Sequence, residues 1–228
     1  MLNLFLFVIF PYVAVAIMLV VSLHRYFTNS YKFSSLSSEF LESEQLFWGS
    51  VPWHYGILTI LTGHLLGFLF PRQMLLFGSV PIRLLIIEVF SLIFGLMALF
   101  GLIMLIRRRF ENKRIRVVTS RMDIIVLFLL LVQVVSGVGT AINYRWGFNW
   151  YATSMVPYLR SLFCFNPEMQ YVSAMPALVK LHISNAFLIV AVLPFTRLLH
   201  FLVLPVHYIW RSWQVVIWNW DRKKRNVR

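Results

Sequence analysis

Long apolar runs, separated by shorter polar segments, are the dominant pattern of this chain. A helix needs about 20 apolar residues to cross a bilayer. The sequence contains five such runs, at about residues 2–23, 51–70, 81–106, 122–142 and 175–204. We therefore predict an all-α integral membrane protein, a bundle of five transmembrane helices that forms a single membrane domain over residues 1–228.

The composition agrees with this prediction and excludes several other classes of protein. The chain is 60% hydrophobic and 13% charged, whereas soluble domains carry about 25% charged residues. Its basic residues flank the apolar runs, which argues against a nucleic-acid-binding face. Because Cys164 is the single cysteine, the sequence encodes neither a cysteine-bound zinc site nor an iron–sulfur cluster.

The distribution of Lys and Arg predicts the orientation of the bundle. Most of these residues lie in the loop at 107–121 and in the tail at 211–228. Basic segments stay on the cytoplasmic side, so we predict an outer N-terminus and a cytoplasmic C-terminus. The aromatic segment at 143–174 would then lie outside, either as an interfacial helix or as a cover over an outer-facing site.

Four histidines lie within two of the apolar runs. His54 and His64 belong to the second run, and His182 and His200 to the fifth. Because these two runs are antiparallel, each offers one inner and one outer imidazole. We predict two b haems whose axial iron ligands are His64 with His182 on the outer side and His54 with His200 on the inner side. Two axial imidazoles favour electron transfer, since they leave iron no open position.

The spacing of these histidines leaves other interpretations open. The two histidines are about 15 Å apart along the second run and about 27 Å apart along the fifth. A tilt of the helices or a kink at Pro194 is therefore needed if both pairs are to bind iron. A metal site, a proton pathway or packed structural histidines are the alternatives. Gly56, Gly63 and Gly67 would let a flat ligand approach the second helix, or would serve ordinary helix packing.

The stretches that contain these histidines resemble those of a known family. The stretches HYGILTILTGHLLG from His54 and LHISNAFLIVAVLPFTRLLHFLVLPVHY from Leu181 are similar to the gamma subunit of respiratory nitrate reductase, a di-haem cytochrome b. Further similarities lie at Phe10, Arg25, Ser37, Asp123, Gln133 and Gly137. The resemblance covers nearly the whole chain and implies five helices and the same four haem ligands in the same pairs.

The resemblance also implies a function, partners and a location. The family oxidises quinol near the outer haem and passes electrons through the inner haem to a cytoplasmic iron–sulfur subunit, beside a molybdenum catalytic subunit. A multi-pass protein of a prokaryotic cytoplasmic (inner) membrane is implied, acting as the quinol-oxidising subunit of a nitrate reductase-type oxidoreductase. One alternative is a quinone-linked haem b anchor for a sulfur-metabolism or heterodisulfide-type complex. A non-redox transporter or anchor is another.

The quinol site departs from the family pattern in one respect. The family has a lysine near the start of the third helix, where this sequence has Leu85. As a hypothesis, Arg83 orients the quinone oxygen and Glu88 helps to take the proton, close to His64 and Gly63. Alternatively, Arg83 extends to the membrane interface and Glu88 is paired with another group.

Arg197 is a further candidate for contact with the cofactor. It precedes His200 by about one helical turn, and a cation inside a membrane span needs an anion nearby. We predict that Arg197 binds a haem propionate, with a lipid phosphate as the alternative.

Overall fold

The computed structural model describes residues 1–28 and 44–198, and all regular elements within these ranges are helices. The first membrane helix is continuous from Leu2 to Thr28. It consists of α1 (Leu2–Leu4), a π-helical turn (Phe5–Ile9) and α2 (Phe10–Thr28). The following elements are α3 (Glu44–Leu69), α4 (Pro71–Gly78), α5 (Pro81–Glu111), α6 (Lys113–Val117) and α7 (Arg121–Asn143).

The aromatic segment then forms a series of short helices before the last long one. These are α8 (Gly147–Trp150), a π-helical turn (Tyr151–Met155), α9 (Val156–Phe163) and α10 (Gln170–Ser173). They are followed by α11 (Ala177–Val192) and a 3-10 turn (Leu193–Phe195). The predicted fifth run extends to residue 204, but the α-helix itself ends at Val192. Pro194 lies in the 3-10 turn, where its missing N–H costs less than it would inside an α-helix.

The predicted fold class is confirmed. Four described helices are long and apolar enough to cross a membrane, and α3 with α4 makes a fifth candidate span that bends by 105°. The bend lies between Leu69 and Pro71, where Phe70 leaves the helical conformation, because a proline disfavours helix in the residue before it. The predicted orientation of the termini remains a prediction.

The helices pack in a definite order. α3 packs on α5, α5 on α7, α7 on α11, and α11 on α2. The two long helices that carry described candidate haem ligands, α3 and α11, are therefore separated along this order by α5 and α7. This arrangement places α3 at one end of the packing order.

Glycines set the close crossing of α3 and α5. A Cβ atom at Gly56 would lie 2.6 Å from the backbone nitrogen of Ala98, and one at Gly101 would lie 2.4 Å from that of Trp53. Both distances are far shorter than van der Waals contact, so neither position has room for a side chain. Around the crossing, Trp53 and Ala98 belong to a buried cluster with Leu102 and Val134.

One buried carboxylate connects three parts of the bundle. Asp123 forms a capping box with Ser120 at the start of α7, with backbone-to-side-chain distances of 2.9 and 3.1 Å. The same carboxylate pairs with Arg109 of α5 at 3.1 Å and with Arg197, beyond α11, at 3.3 Å. Because its side chain is only 8% exposed, removing it would leave these cations poorly compensated.

The glycine crossing gives a direct stability prediction. We expect Gly101→Ala to lower the free energy of unfolding by about 1–3 kcal/mol, because the added methyl group overpacks the contact with the Trp53 backbone. Gly95→Ala on the same helix is the matched control, since a Cβ there meets Val138 at an ordinary 3.4 Å. Equilibrium unfolding in detergent checks both variants, and equal stability of the two would contradict the packing argument.

Candidate functional site

The two imidazoles of α3 share one hydrogen-bonding arrangement. His54 Nδ1 lies 2.7 Å from the Ser50 carbonyl oxygen, and His64 Nδ1 lies 2.8 Å from that of Ile60. A carbonyl only accepts, so Nδ1 is the protonated donor in both rings. In the neutral imidazole Nε2 then keeps its lone pair, which is the form that a metal ion needs. Both side chains are exposed on the surface of the chain.

His182 on α11 lies in a more enclosed and more polar environment. Its Nδ1 is 3.1 Å from the Gln133 carbonyl oxygen, to which it donates, and 3.1 Å from the Ser136 hydroxyl. The Gln133 side-chain amide nitrogen lies 3.2 Å from His182 Nε2 and donates to it. The same tautomer is therefore present as in His54 and His64, with the lone pair on Nε2.

Two neighbours fix the surroundings of His182. Asn185 donates to the side-chain oxygen of Gln133 at 2.8 Å, which orients that amide so that its nitrogen faces the imidazole. A Cβ at Gly137 would lie 2.9 Å from His182 Cε1, so the ring needs a glycine on α7 at this point. Gln133 contacts His182 directly and Gly137 makes room for its ring; in the sequence, only the family resemblance had pointed to these two residues.

Of the three glycines near the α3 histidines, one adjoins open space. A Cβ at Gly63 would meet nothing within 4 Å, whereas one at Gly56 would collide with Ala98 and one at Gly67 with Tyr151. Gly56 and Gly67 therefore serve packing. Gly63 leaves the surface beside His64 free.

Tyr151 ties the aromatic segment to His64. Its hydroxyl donates to the His64 carbonyl oxygen at 2.9 Å, and the two rings meet edge to face with centroids 5.3 Å apart. Burial raises the pKa of Tyr151 to about 12, so the phenol remains a hydrogen-bond donor at physiological pH. No sequence pattern identified this residue, because its partner is distant in the chain.

The rest of the aromatic segment packs against the ends of two membrane helices. Tyr158 donates to the Phe7 carbonyl oxygen at 2.9 Å, and burial raises the pKa of Tyr158 well above its usual value. Arg160 donates to the Phe68 carbonyl oxygen at 2.8 Å. The segment thus lies over the end of the bundle at which His64 is found.

The two candidate quinol-site residues on α5 each have a partner. Glu88 accepts a hydrogen bond from the backbone N–H of Gly147 at 3.0 Å. The Arg83 guanidinium carbon lies 5.5 Å from the centre of the Phe77 ring, in a cation–π contact. Neither of these contacts involves His64 or Gly63, so a shared quinol site remains a prediction.

Arg197 meets an anion that the sequence did not pair with it. Its Nε lies 3.3 Å from Asp123 Oδ1, and its guanidinium also donates to the Val118 carbonyl oxygen at 3.2 Å. Contact with a haem propionate or a lipid phosphate remains a prediction. His200, the proposed partner of His54, lies outside the described residues, so the inner pair remains a prediction as well.

Comparisons with known proteins identify the family. The family model described as nitrate reductase gamma subunit matches residues 3–219. A nitrate reductase gamma chain of Bacillus subtilis is 34% identical over 213 residues, which cover 91% of this chain and 94% of the relative. The respiratory nitrate reductase 1 gamma chain of Escherichia coli is 29% identical over 220 residues, covering 94% and 97%. This chain is therefore a multi-pass membrane protein that belongs to the nitrate reductase gamma subunit family.

Proposed function

We propose that this chain is the di-haem cytochrome b membrane subunit of a respiratory nitrate reductase and that it oxidises quinol near the outer face of the membrane. One observation carries the proposal. Each described candidate ligand, on α3 and on α11, donates through Nδ1 to a backbone carbonyl, so that Nε2 keeps the lone pair that haem iron requires.

The residues proposed for the outer site fit a haem in their donor chemistry, and one of them adjoins open space. His64 and His182 would supply two imidazoles, each with its Nδ1–H donated to a backbone carbonyl oxygen, and Gly63 leaves open space beside His64. The Gln133 amide, which donates to His182 Nε2, would have to give up this bond when iron binds. When bound, the haem would supply reversible one-electron transfer, since two imidazole ligands leave its iron no open position.

The inner site would be completed by the segment beyond α11. His54 Nδ1 is held by Ser50 in the same way as His64 is held by Ile60, and we propose His200 as the second ligand. Arg197 would hold a propionate at this end of the bundle, where Asp123 and Arg109 already bring opposite charges together. Electrons would leave from here to a cytoplasmic iron–sulfur subunit and then to a molybdenum catalytic subunit.

For the quinol site we propose Arg83 and Glu88, beside His64 and Gly63. Glu88 keeps its second carboxylate oxygen for a proton while the first accepts from the Gly147 backbone. Arg83 would orient a quinone oxygen. We further propose an outer N-terminus and a prokaryotic cytoplasmic membrane, as the basic segments at 107–121 and 211–228 imply.

The second candidate function is a quinone-linked haem b anchor for another reductase, such as a sulfur-metabolism or heterodisulfide-type complex. The chain itself carries no acceptor chemistry in its sequence motifs, so its partners decide between the two. Identification of the subunits that copurify with it, and of the acceptor they reduce, distinguishes these functions.

We expect His64→Ala and His182→Ala each to remove the outer haem, because a single remaining imidazole holds the iron weakly. The reduced-minus-oxidised optical spectrum should then show about half of the b-type band. Quinol oxidation should be the first step of electron transfer to fail in these variants. His24→Ala is the matched control, since it removes another exposed imidazole at the far end of α2. A wild-type chain without a b-type band, or two variants with intact spectra, would contradict the haem proposal.

We expect Glu88→Gln to slow quinol-dependent haem reduction about a hundredfold, because a positioned proton acceptor typically contributes this much. The substitution keeps an oxygen that accepts from the Gly147 N–H, so the local structure is preserved. Stopped-flow optical spectroscopy with a soluble quinol measures the rate. Glu111→Gln at the other end of α5, which removes an exposed ion pair with Arg107, should leave the rate unchanged. An unchanged rate in Glu88→Gln would exclude the proton role.

A further inference from the structure

We propose that Tyr151 is a positioning residue that holds the His64 imidazole in the orientation required of an outer iron ligand; this rests on the function proposed above. Three independent contacts of Tyr151 support the inference. They are the hydrogen bond of its hydroxyl, the edge-to-face contact between its ring and the imidazole, and the slot in α3 that receives the ring.

The hydroxyl fixes the backbone from which His64 projects. Tyr151 donates to the His64 carbonyl oxygen at 2.9 Å across 87 positions of sequence. This bond is additional to the helical bonds of α3, so it anchors one particular turn of that helix to the aromatic segment. The imidazole is held separately, through the Nδ1–H that it donates to Ile60.

The ring of Tyr151 restricts the rotation of the imidazole. The two ring planes are inclined by 77°, with centroids 5.3 Å apart, which is a favourable edge-to-face geometry. His64 is thus held at its Nδ1 by a hydrogen bond and at its ring by an aromatic neighbour. The nitrogen that remains available for a ligand bond is Nε2.

A glycine on α3 provides the slot for the Tyr151 ring. A Cβ at Gly67 would lie 2.8 Å from Tyr151 Cε1 and 3.1 Å from Cδ1, so any larger residue would push the ring away. Gly67 is three residues beyond His64, about one helical turn. Tyr151 also opens a π-helical turn, Tyr151–Met155, a distortion that is frequent at functional sites.

The chain contains a matched control for the hydroxyl. Tyr158 lies on the same aromatic segment and donates to a backbone carbonyl oxygen at the same 2.9 Å, but its partner is Phe7 near the start of the first helix. Tyr158→Phe therefore removes an equivalent hydrogen bond without touching His64. A purely structural role of such bonds would give the same result for both tyrosines.

The test is carbon monoxide binding by the reduced protein, in membranes that contain the full chain with its partner subunits. A haem with two firmly held imidazoles has no free iron position, so carbon monoxide binds only when one imidazole dissociates. We expect Tyr151→Phe to raise the carbon monoxide-reactive fraction about fivefold, the effect of losing one ordinary hydrogen bond. Gly67→Ala, which keeps the hydroxyl but displaces the ring, should change the fraction in the same direction. Tyr158→Phe should match wild type.

Equal reactive fractions in Tyr151→Phe and wild type would overturn the proposal, as would an equal rise in Tyr151→Phe and Tyr158→Phe. These results differ from a failure of the proposed function, in which the wild-type membranes themselves would lack the b-type band. Because Tyr151→Phe keeps the aromatic ring, total haem content should remain close to wild type, and this is measured on the same samples.

Discussion

A neutral imidazole inside an apolar helix has one N–H that must be satisfied and one nitrogen that remains a base. In this protein the helix satisfies the N–H locally, because His54 and His64 each donate to the carbonyl of the residue four positions earlier. The cost of placing this donor in an apolar membrane is thereby removed without a second side chain. The basic nitrogen is then presented away from the helix, and the proposed cofactor chemistry depends on this arrangement.

The packing of the bundle is consistent with the need for an accessible basic nitrogen on each histidine. Gly56 and Gly101 let α3 and α5 cross at a very short distance, so one face of α3 is occupied by its contact with α5. Gly63, by contrast, adjoins open space. At the end of the bundle near His64, the aromatic segment is fixed by Tyr151, Tyr158 and Arg160 to backbone carbonyls of the membrane helices.

Much of the fold followed from residue patterns, because length and hydropathy alone decide which segments suit a bilayer. The features that the residue patterns did not predict are local. Hydropathy did not show that α11 ends at Val192 or that Phe70 breaks the helix. Helix ends depend on capping and on proline geometry, which a hydropathy average does not resolve. For the site, the histidines were evident because ionisable residues are rare in spans. Their hydrogen-bond partners were not.

The sequence by itself determined the class of protein, the number of apolar runs, the four candidate imidazoles and the resemblance to the family that the comparisons confirm. These properties depend on residue type and spacing, which are visible in one dimension. Only the tertiary structure decided that Asp123 meets both Arg109 and Arg197, that Gln133 and Gly137 surround His182, and that Tyr151 meets His64. Each of these contacts joins different helices, and the relative rotation of packed helices depends on side-chain shape across the whole bundle.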